Sequence, residues 1–324
     1  MVLIEQQWES DMRLIFMGTP DFVVPTLEAV VQAPDVQVAG VYTPPDRPRG
    51  RGRSPEMPPV KSYALKQGLP VFQPATLRSA RAQEELAALQ PDVIIVAAYG
   101  KFLPVPVLDT PPHGCLNLHP SLLPKYRGPS PVVTAILEGE SVTGVTLMKL
   151  DEGMDTGPII AQQEQPITPQ DTAGTLTAAL FRLGAALLLE NLSPWVAGRI
   201  APRPQDNAQA TVTRKLERAD GQANWGLSAL ALEHHCRAYT PWPGLFTHWQ
   251  GQVLKLLDVA LIPDSAHPNG EPGLVVSLSL PETPAGVVTA DGVLGLKRLQ
   301  LEGRRANSAG AFLRGYPQLI GSKL

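Results

Sequence analysis

Apolar and polar positions alternate in two regimes along this chain. Residues 13–17 form a short apolar run, Gly18-Thr19-Pro20-Asp21 turns it, residues 24–33 carry a helical pattern, and residues 36–43 form a second apolar run. Strand, helix, strand in that order predicts parallel pairing through a right-handed crossover. The rhythm continues with a helix at 59–68, a strand at 71–73 and a helix at 79–89. The nearly unbroken Val/Ile/Ala run at 92–98 reads as a central strand covered on both faces. Farther on come a helix at 131–137, strands at 143–150 and 158–167, and a long apolar helical pattern at 172–195 expected to pack on the sheet. The fold class expected is α/β, a Rossmann-like parallel sheet followed by a small OB-like β-barrel.

The second regime begins after a change of composition. Residues 198–217 collect Gly, Pro, Gln, Asn and scattered charge, which is a linker signature. A helix is expected at 227–239 with Ser228 near its start. Beyond Phe246, short strands alternate with Gly, Pro and Asp turns, the pattern of a small barrel. The expected organisation is an extension at 1–11 with no assigned role, a domain at 12–197, a linker at 198–217 and a second domain at 218–324.

Composition narrows the classes. With 324 residues and 44% hydrophobic content, the chain can bury cores for two domains. Its two cysteines, Cys115 and Cys236, allow no disulfide framework and fit a reducing, cytoplasmic setting. Residues 1–11 have no basic segment before an apolar one, so no secretory signal is expected. No uninterrupted apolar run is expected to span a bilayer. Residues 1–200 hold 15 Lys/Arg against 20 Asp/Glu, and the remainder 12 against 10, so only the later part is mildly basic. Neither GxGxxG nor GxxxxGK[ST] occurs, which removes two nucleotide-binding signatures.

Candidate chemistry centres on residues 115–131. Leu116 and Leu118 alternate with Asn117 and His119, so a strand here would present the amide and the imidazole on one face. Pro120 and Pro124 then end the strand and stiffen a loop. Downstream, residues 150–158 place Asp155 in a turn flanked by Gly153 and Gly157. A hydrogen-bonded structural histidine at a strand end fits the spacing equally well, and Cys115 reads better as a small buried hydrophobe than as a nucleophile. The Pro- and Arg-rich stretch 44–59 reads as a long loop carrying Arg47, Arg49, Arg51 and Arg53. It suits either phosphate contact or simple solvation. His234 and His235 lack companions at metal-ligand spacing.

Taken together, Phe16-Met17-Gly18-Thr19-Pro20-Asp21-Phe22, the arginine loop 45–52, the runs 115–131 and 150–158, and Tyr239-Thr240-Pro241-Trp242-Pro243 resemble the formyltetrahydrofolate-dependent formyltransferases. At Asn224 the chain departs from the Asp usual in that family. The resemblance implies 10-formyltetrahydrofolate as formyl donor, no metal, and the α-amine of an aminoacylated initiator methionyl-tRNA as acceptor. A small-amine acceptor, a glycinamide ribonucleotide or an amino sugar nucleotide, is the alternative. It implies catalytic roles for Asn117, His119 and Asp155. Asn117 and a protonated His119 would donate to the formyl oxygen, and Asp155 would favour that protonated ring. It also implies a folate site of Tyr99, Phe102, Ser121, Leu122, Leu123 and Pro124. Arg47, Arg49, Arg51, Arg53 and Lys215 would contact tRNA. No membrane or protein partner is implied, and a monomer is expected.

Overall fold

The computed structural model describes residues 12–49, 54–263 and 270–324. Contacts divide the chain into two compact units. The first comprises the chain to Gly128, Val142–Pro166 and Thr177–Thr213. The second comprises Pro129–Ser141, Ile167–Leu176 and Arg214–Leu324.

The first unit begins with β1 (Met12–Gly18), α1 (Val24–Gln32), β2 (Val36–Tyr42), β3 (Arg47–Arg49) and β4 (Ser54–Glu56). It continues with α2 (Pro59–Lys66), β5 (Val71–Phe72), α3 (Ala80–Ala87), β6 (Val93–Ala97), α4 (Val105–Leu108) and β7 (Cys115–His119). After α5 (Pro131–Leu137), which belongs to the second unit, come β8 (Val142–Lys149), β9 (Ile159–Pro166) and α6 (Ala173–Val196). The sheet order is β5-β2-β1-β6-β7-β8-β9. The first five strands are parallel, as the alternating pattern predicts. β8 and β9, for which the sequence pattern set no direction, both pair antiparallel, with His119 opposite Thr146 and Thr146 opposite Gln162. The reason lies in α5. It packs against the second unit's α7 (Ala229–Ala238) instead of covering the sheet as a crossover helix.

Alternation along β1 explains the core. Leu14 and Phe16 face one side with Val23, Leu27 and Val30, joined by Leu118, Leu147, Phe181 and Leu188. Ile15 and Met17 face the other with Tyr42, Ile94, Val96 and Cys115. By length and composition alone α6 is apolar enough to cross a membrane, although Arg182 and Glu190 interrupt its apolar run. Within this protein its Phe181, Leu187, Leu188, Leu192 and Val196 are buried against the sheet.

The arginine stretch is not a bare loop. Arg47 pairs with Glu56 and Arg49 with Ser54, forming a two-stranded hairpin. Its base is anchored where Lys61 Nζ meets Asp46 at 2.8 Å and Gln73 Oε1 at 2.7 Å. Arg51 and Arg53 lie outside the described residues.

In the second unit Ser228 caps α7, its Oγ accepting from the Ala231 amide at 3.1 Å. There follow β10 (Leu245–Trp249), β11 (Gln252–Leu261), β12 (Val275–Ser277), β13 (Ala285–Val288), β14 (Val293–Leu301), β15 (Asn307–Ser308) and α8 (Ala309–Gly315). The sheet is antiparallel and curled, in the order β10-β11-β14-β13-β12, with β15 on β14. Leu254, Leu256, Leu294, Leu296 and Leu299 fill its core with Trp249 and Phe312.

Phe16 is fully buried, whereas Leu65 on α2 is 52% exposed. Phe16→Ala is therefore expected to cost about 3–5 kcal/mol through transfer and cavity losses. Leu65→Ala should cost no more than about 0.5 kcal/mol. Denaturant unfolding followed by circular dichroism compares the two.

Candidate active site

β7 delivers the first polar pair. Leu116 and Leu118 point into the sheet core, which leaves Asn117 and His119 on the opposite face. Asn117 is half-buried, and among the described residues its carboxamide has no hydrogen-bond partner. His119 is only 4% exposed. Its Nε2 lies 2.9 Å from the Tyr126 carbonyl, and because a carbonyl only accepts, that nitrogen carries a proton. Its Nδ1 lies 3.6 Å from Asp155 Oδ2. Each ring nitrogen therefore faces an acceptor oxygen.

Asp155 arrives from the turn between β8 and β9. The Leu150 amide donates to the Cys115 carbonyl at 2.7 Å, which starts the turn beside β7. Asp151 Oδ1 then accepts from the Gly153 amide at 3.0 Å and from Thr156 Oγ1 at 2.7 Å. Gly157 is required, since a Cβ there would collide with the Lys149 carbonyl. The Gly128 amide donates to Asp155 Oδ2 at 2.8 Å. Oδ1 has no partner among the described residues. Asp155 sits at φ +54°, with Tyr126 at +61° and Ala98 at +45°. Three non-glycine residues in the left-handed region around one small volume mark a strained, over-determined site.

A cavity of about 280 Å³ opens there. Asn117 and Asp155 contribute to its polar lining together with Lys101 and Asp151. Val96, Tyr99, Leu103, Leu108 and Leu150 form apolar walls, with Phe102 and Met154 also lining it. Phe102 is 60% and Met154 63% exposed. Tyr99 is buried with its hydroxyl unpaired among the described residues, and burial pushes its pKa up to about 12. Lys101 tethers this loop, its Nζ donating to the Pro74 and Ala75 carbonyls at 2.5 and 2.9 Å.

Of the expected site residues, Asn117, Asp155, Tyr99 and Phe102 line the cavity and His119 stands behind Asp155. Ser121, Leu122, Leu123 and Pro124 do not line it. Ser121 Oγ donates to the Lys125 carbonyl at 2.7 Å, and Leu123 is buried with Met148 and Ile159. Leu122 lies against Gly144, and the Pro124 carbonyl accepts from the Thr211 amide at 3.3 Å. These four residues shape the loop that carries Tyr126 and Gly128. Arg47 and Lys215 are exposed, each in its own unit. Sequence reasoning did not single out Arg127, Gly128 or Gln205. The only signal was their presence in a Pro-rich loop and a linker-like segment. Apolar walls with a few polar groups suit a flat heteroaromatic ring. Among the described residues no cluster of His, Cys, Asp and Glu could hold a metal ion.

Residues 12–192 match the family described as formyl transferase, and residues 215–317 match its C-terminal domain. A methionyl-tRNA formyltransferase of Chloroflexus aggregans is 50% identical over 304 residues, covering 94% of this chain and 97% of that protein. Solved structures share the fold. HypX from Aquifex aeolicus in complex with tetrahydrofolic acid aligns with a TM-score of 0.62 at 18% identity, covering 96% of this chain and 48% of HypX. An N-formyltransferase from Helicobacter canadensis in complex with folinic acid and dTDP-3-aminofucose aligns with a TM-score of 0.63 at 20% identity, covering 88% and 99%.

Cys115 adjoins the site at only 1% exposure, and burial pushes its thiol up to about 12, as it does that of Cys236. The raised value keeps both as neutral thiols at pH 8, so the nucleophilic thiolate is scarce. Neither cysteine should react with a disulfide reagent in the native protein at pH 8. Both should react after unfolding, which absorbance of the released thiol measures.

Proposed function

The chain belongs to the methionyl-tRNA formyltransferase family, and from that premise we propose that Asn117, His119 and Asp155 carry formyl transfer to the α-amine of initiator methionyl-tRNA. The observation that supports these roles is a shared wall: Asn117 and Asp155 line one apolar cavity, and His119 holds Asp155 from behind. 10-Formyltetrahydrofolate supplies the formyl carbon when bound.

Asn117 is free to donate its NH₂ to the formyl oxygen as negative charge develops there. The Asp155 Oδ1 atom, unpaired among the described residues, takes a proton from the attacking amine, and that proton passes to the leaving nitrogen of the donor as its bond to the formyl carbon breaks. Oδ2 is held by the Gly128 amide at 2.8 Å and faces His119 Nδ1 at 3.6 Å. With its Nε2 proton given to the Tyr126 carbonyl, the ring presents Nδ1 to the carboxylate at an ion-pair distance, too long for a hydrogen bond. His119 thereby sits against the carboxylate and supports its negative charge when both ring nitrogens carry a proton. Tyr99 and Phe102 flank the ring of the formyl donor, and Leu103, Leu108 and Leu150 exclude water around it.

The arginines of the 44–59 stretch, Arg47, Arg49, Arg51 and Arg53, together with Lys215, supply phosphate contacts to the tRNA. Formylation of a charged initiator tRNA places the protein with the translation apparatus in the cytoplasm. Transfer to an amino sugar nucleotide is the second reading, since the Helicobacter canadensis structure shares the fold. At 20% identity that likeness speaks for the fold alone. The 50% relative speaks for tRNA.

The assay supplies 10-formyltetrahydrofolate with methionyl-tRNA or with an amino sugar nucleotide and follows formylated product. Formyl-methionyl-tRNA is the expected product, and exclusive use of the sugar would reverse the acceptor. Asn117→Ala, His119→Ala and Asp155→Ala should each lower turnover at least about a hundredfold. Near-normal turnover in all three would remove the assigned roles. Arg51→Ala should raise KM for tRNA and flatten its salt dependence by about one contact, while kcat changes little.

A further inference from the structure

The Asp155 turn is held from outside by a residue of the linker-like segment. Gln205 Nε2 donates to the Asp155 carbonyl at 2.8 Å and to the Gly157 carbonyl at 2.7 Å. One side-chain nitrogen thus bridges the two carbonyls that flank the turn's last peptide bonds. Its Oε1 accepts from Arg127 Nε at 3.0 Å and from Arg127 Nη2 at 2.8 Å. A guanidinium only donates, so the amide can have just one orientation, with its NH₂ toward the turn. Arg127 is itself set. It is 6% exposed, Nη2 also reaches Asn207 Oδ1 at 2.8 Å, and its backbone bonds both ways with Thr211 and Thr213. The next residue, Gly128, gives its amide to the Asp155 carboxylate.

We infer that Gln205, oriented by Arg127, is a positioning residue that locks Asp155 in its left-handed conformation and aims its carboxylate into the cavity. The inference rests on the reading of Asp155 as a catalytic group. Asp155 at φ +54° is a conformation that an aspartate leaves readily when nothing holds its carbonyl. Gln205 supplies two donors to that backbone, while Gly128 supplies one to the side chain. Without the two donors the turn relaxes, and the carboxylate no longer faces the amine. Gln205 does not line the cavity, so substrate contacts stay intact.

The test uses the full chain and single-turnover formylation of methionyl-tRNA. Gln205→Met keeps the length and apolar bulk of the side chain. Gln205→Glu keeps the Arg127 contact but presents oxygen to two carbonyls. Both should fold, with unchanged circular dichroism. Both should lower kcat about ten- to hundredfold, the scale of a misplaced reacting group. KM for each substrate should stay within about threefold, as for an interaction used only in the transition state. In an Asp155→Ala background the same Gln205 substitutions should have almost no further effect, because the group they position is gone. A Gln205→Glu variant with parental kcat overturns the inference. So does a Gln205→Met loss that is as large in the Asp155→Ala background as in the parent. Both results leave the role of Asp155 standing. Near-normal turnover of Asp155→Ala itself removes that role and this inference together.

Discussion

The tie between two loops governs this structure: the Gly128 amide, from the loop after β7, bonds the carboxylate of Asp155, from the turn after β8, at 2.8 Å. Everything around it serves to make that meeting possible. β7 and β8 pair antiparallel, with Leu116 opposite Lys149 and His119 opposite Thr146, so the turn after β8 starts beside Cys115 at the beginning of β7. That turn must therefore double back along β7 to reach His119 and Gly128.

Magnitudes show why so many hydrogen bonds converge on one turn. Asp155, Tyr126 and Ala98 each sit in a sparsely populated region of backbone space, at a cost of about 1–3 kcal/mol apiece. A typical intramolecular hydrogen bond returns only about 1 kcal/mol net. One contact cannot hold such a residue. The Asp155 turn has two bonds from Gln205, one from Gly128 and two around Asp151. Tyr126 has an amide bond to Thr211 Oγ1 at 2.8 Å and gives its carbonyl to His119. The strain is therefore held in place before any substrate arrives, which is what a preorganised reaction site requires.

Fold and acceptor separate cleanly. Chains at 18–20% identity share the sheet that carries the site. The cavity opens beside the carboxyl end of β6 and Asn117 of β7, a position at which open α/β sheets bind ligands. Under the proposed reading the acceptor is chosen by parts attached to that sheet, among them the pair β3–β4 and the curled second sheet. Functions grafted on a common scaffold diverge in this way because loops change without disturbing the core.

Hydrophobic period and turn residues were enough to place most strands and helices, to pair Asn117 with His119 on one face, and to single out Asp155 between glycines. Those features are local, because side-chain alternation and positive φ are written into neighbouring residues. The motifs also carried the family. Tertiary structure alone decided that β8 reverses, that Arg47–Arg49 pairs with Ser54–Glu56 and that His119 lies against Asp155. It also decided that Ser121–Pro124 pack into their own loop, and that the linker-like Gln205 grips the Asp155 turn. Each of these depends on residues far apart in the chain, Gln205 being 50 positions from Asp155. No local pattern records such a partner, because hydrogen bonds of this kind form only once both segments have been brought together by the core.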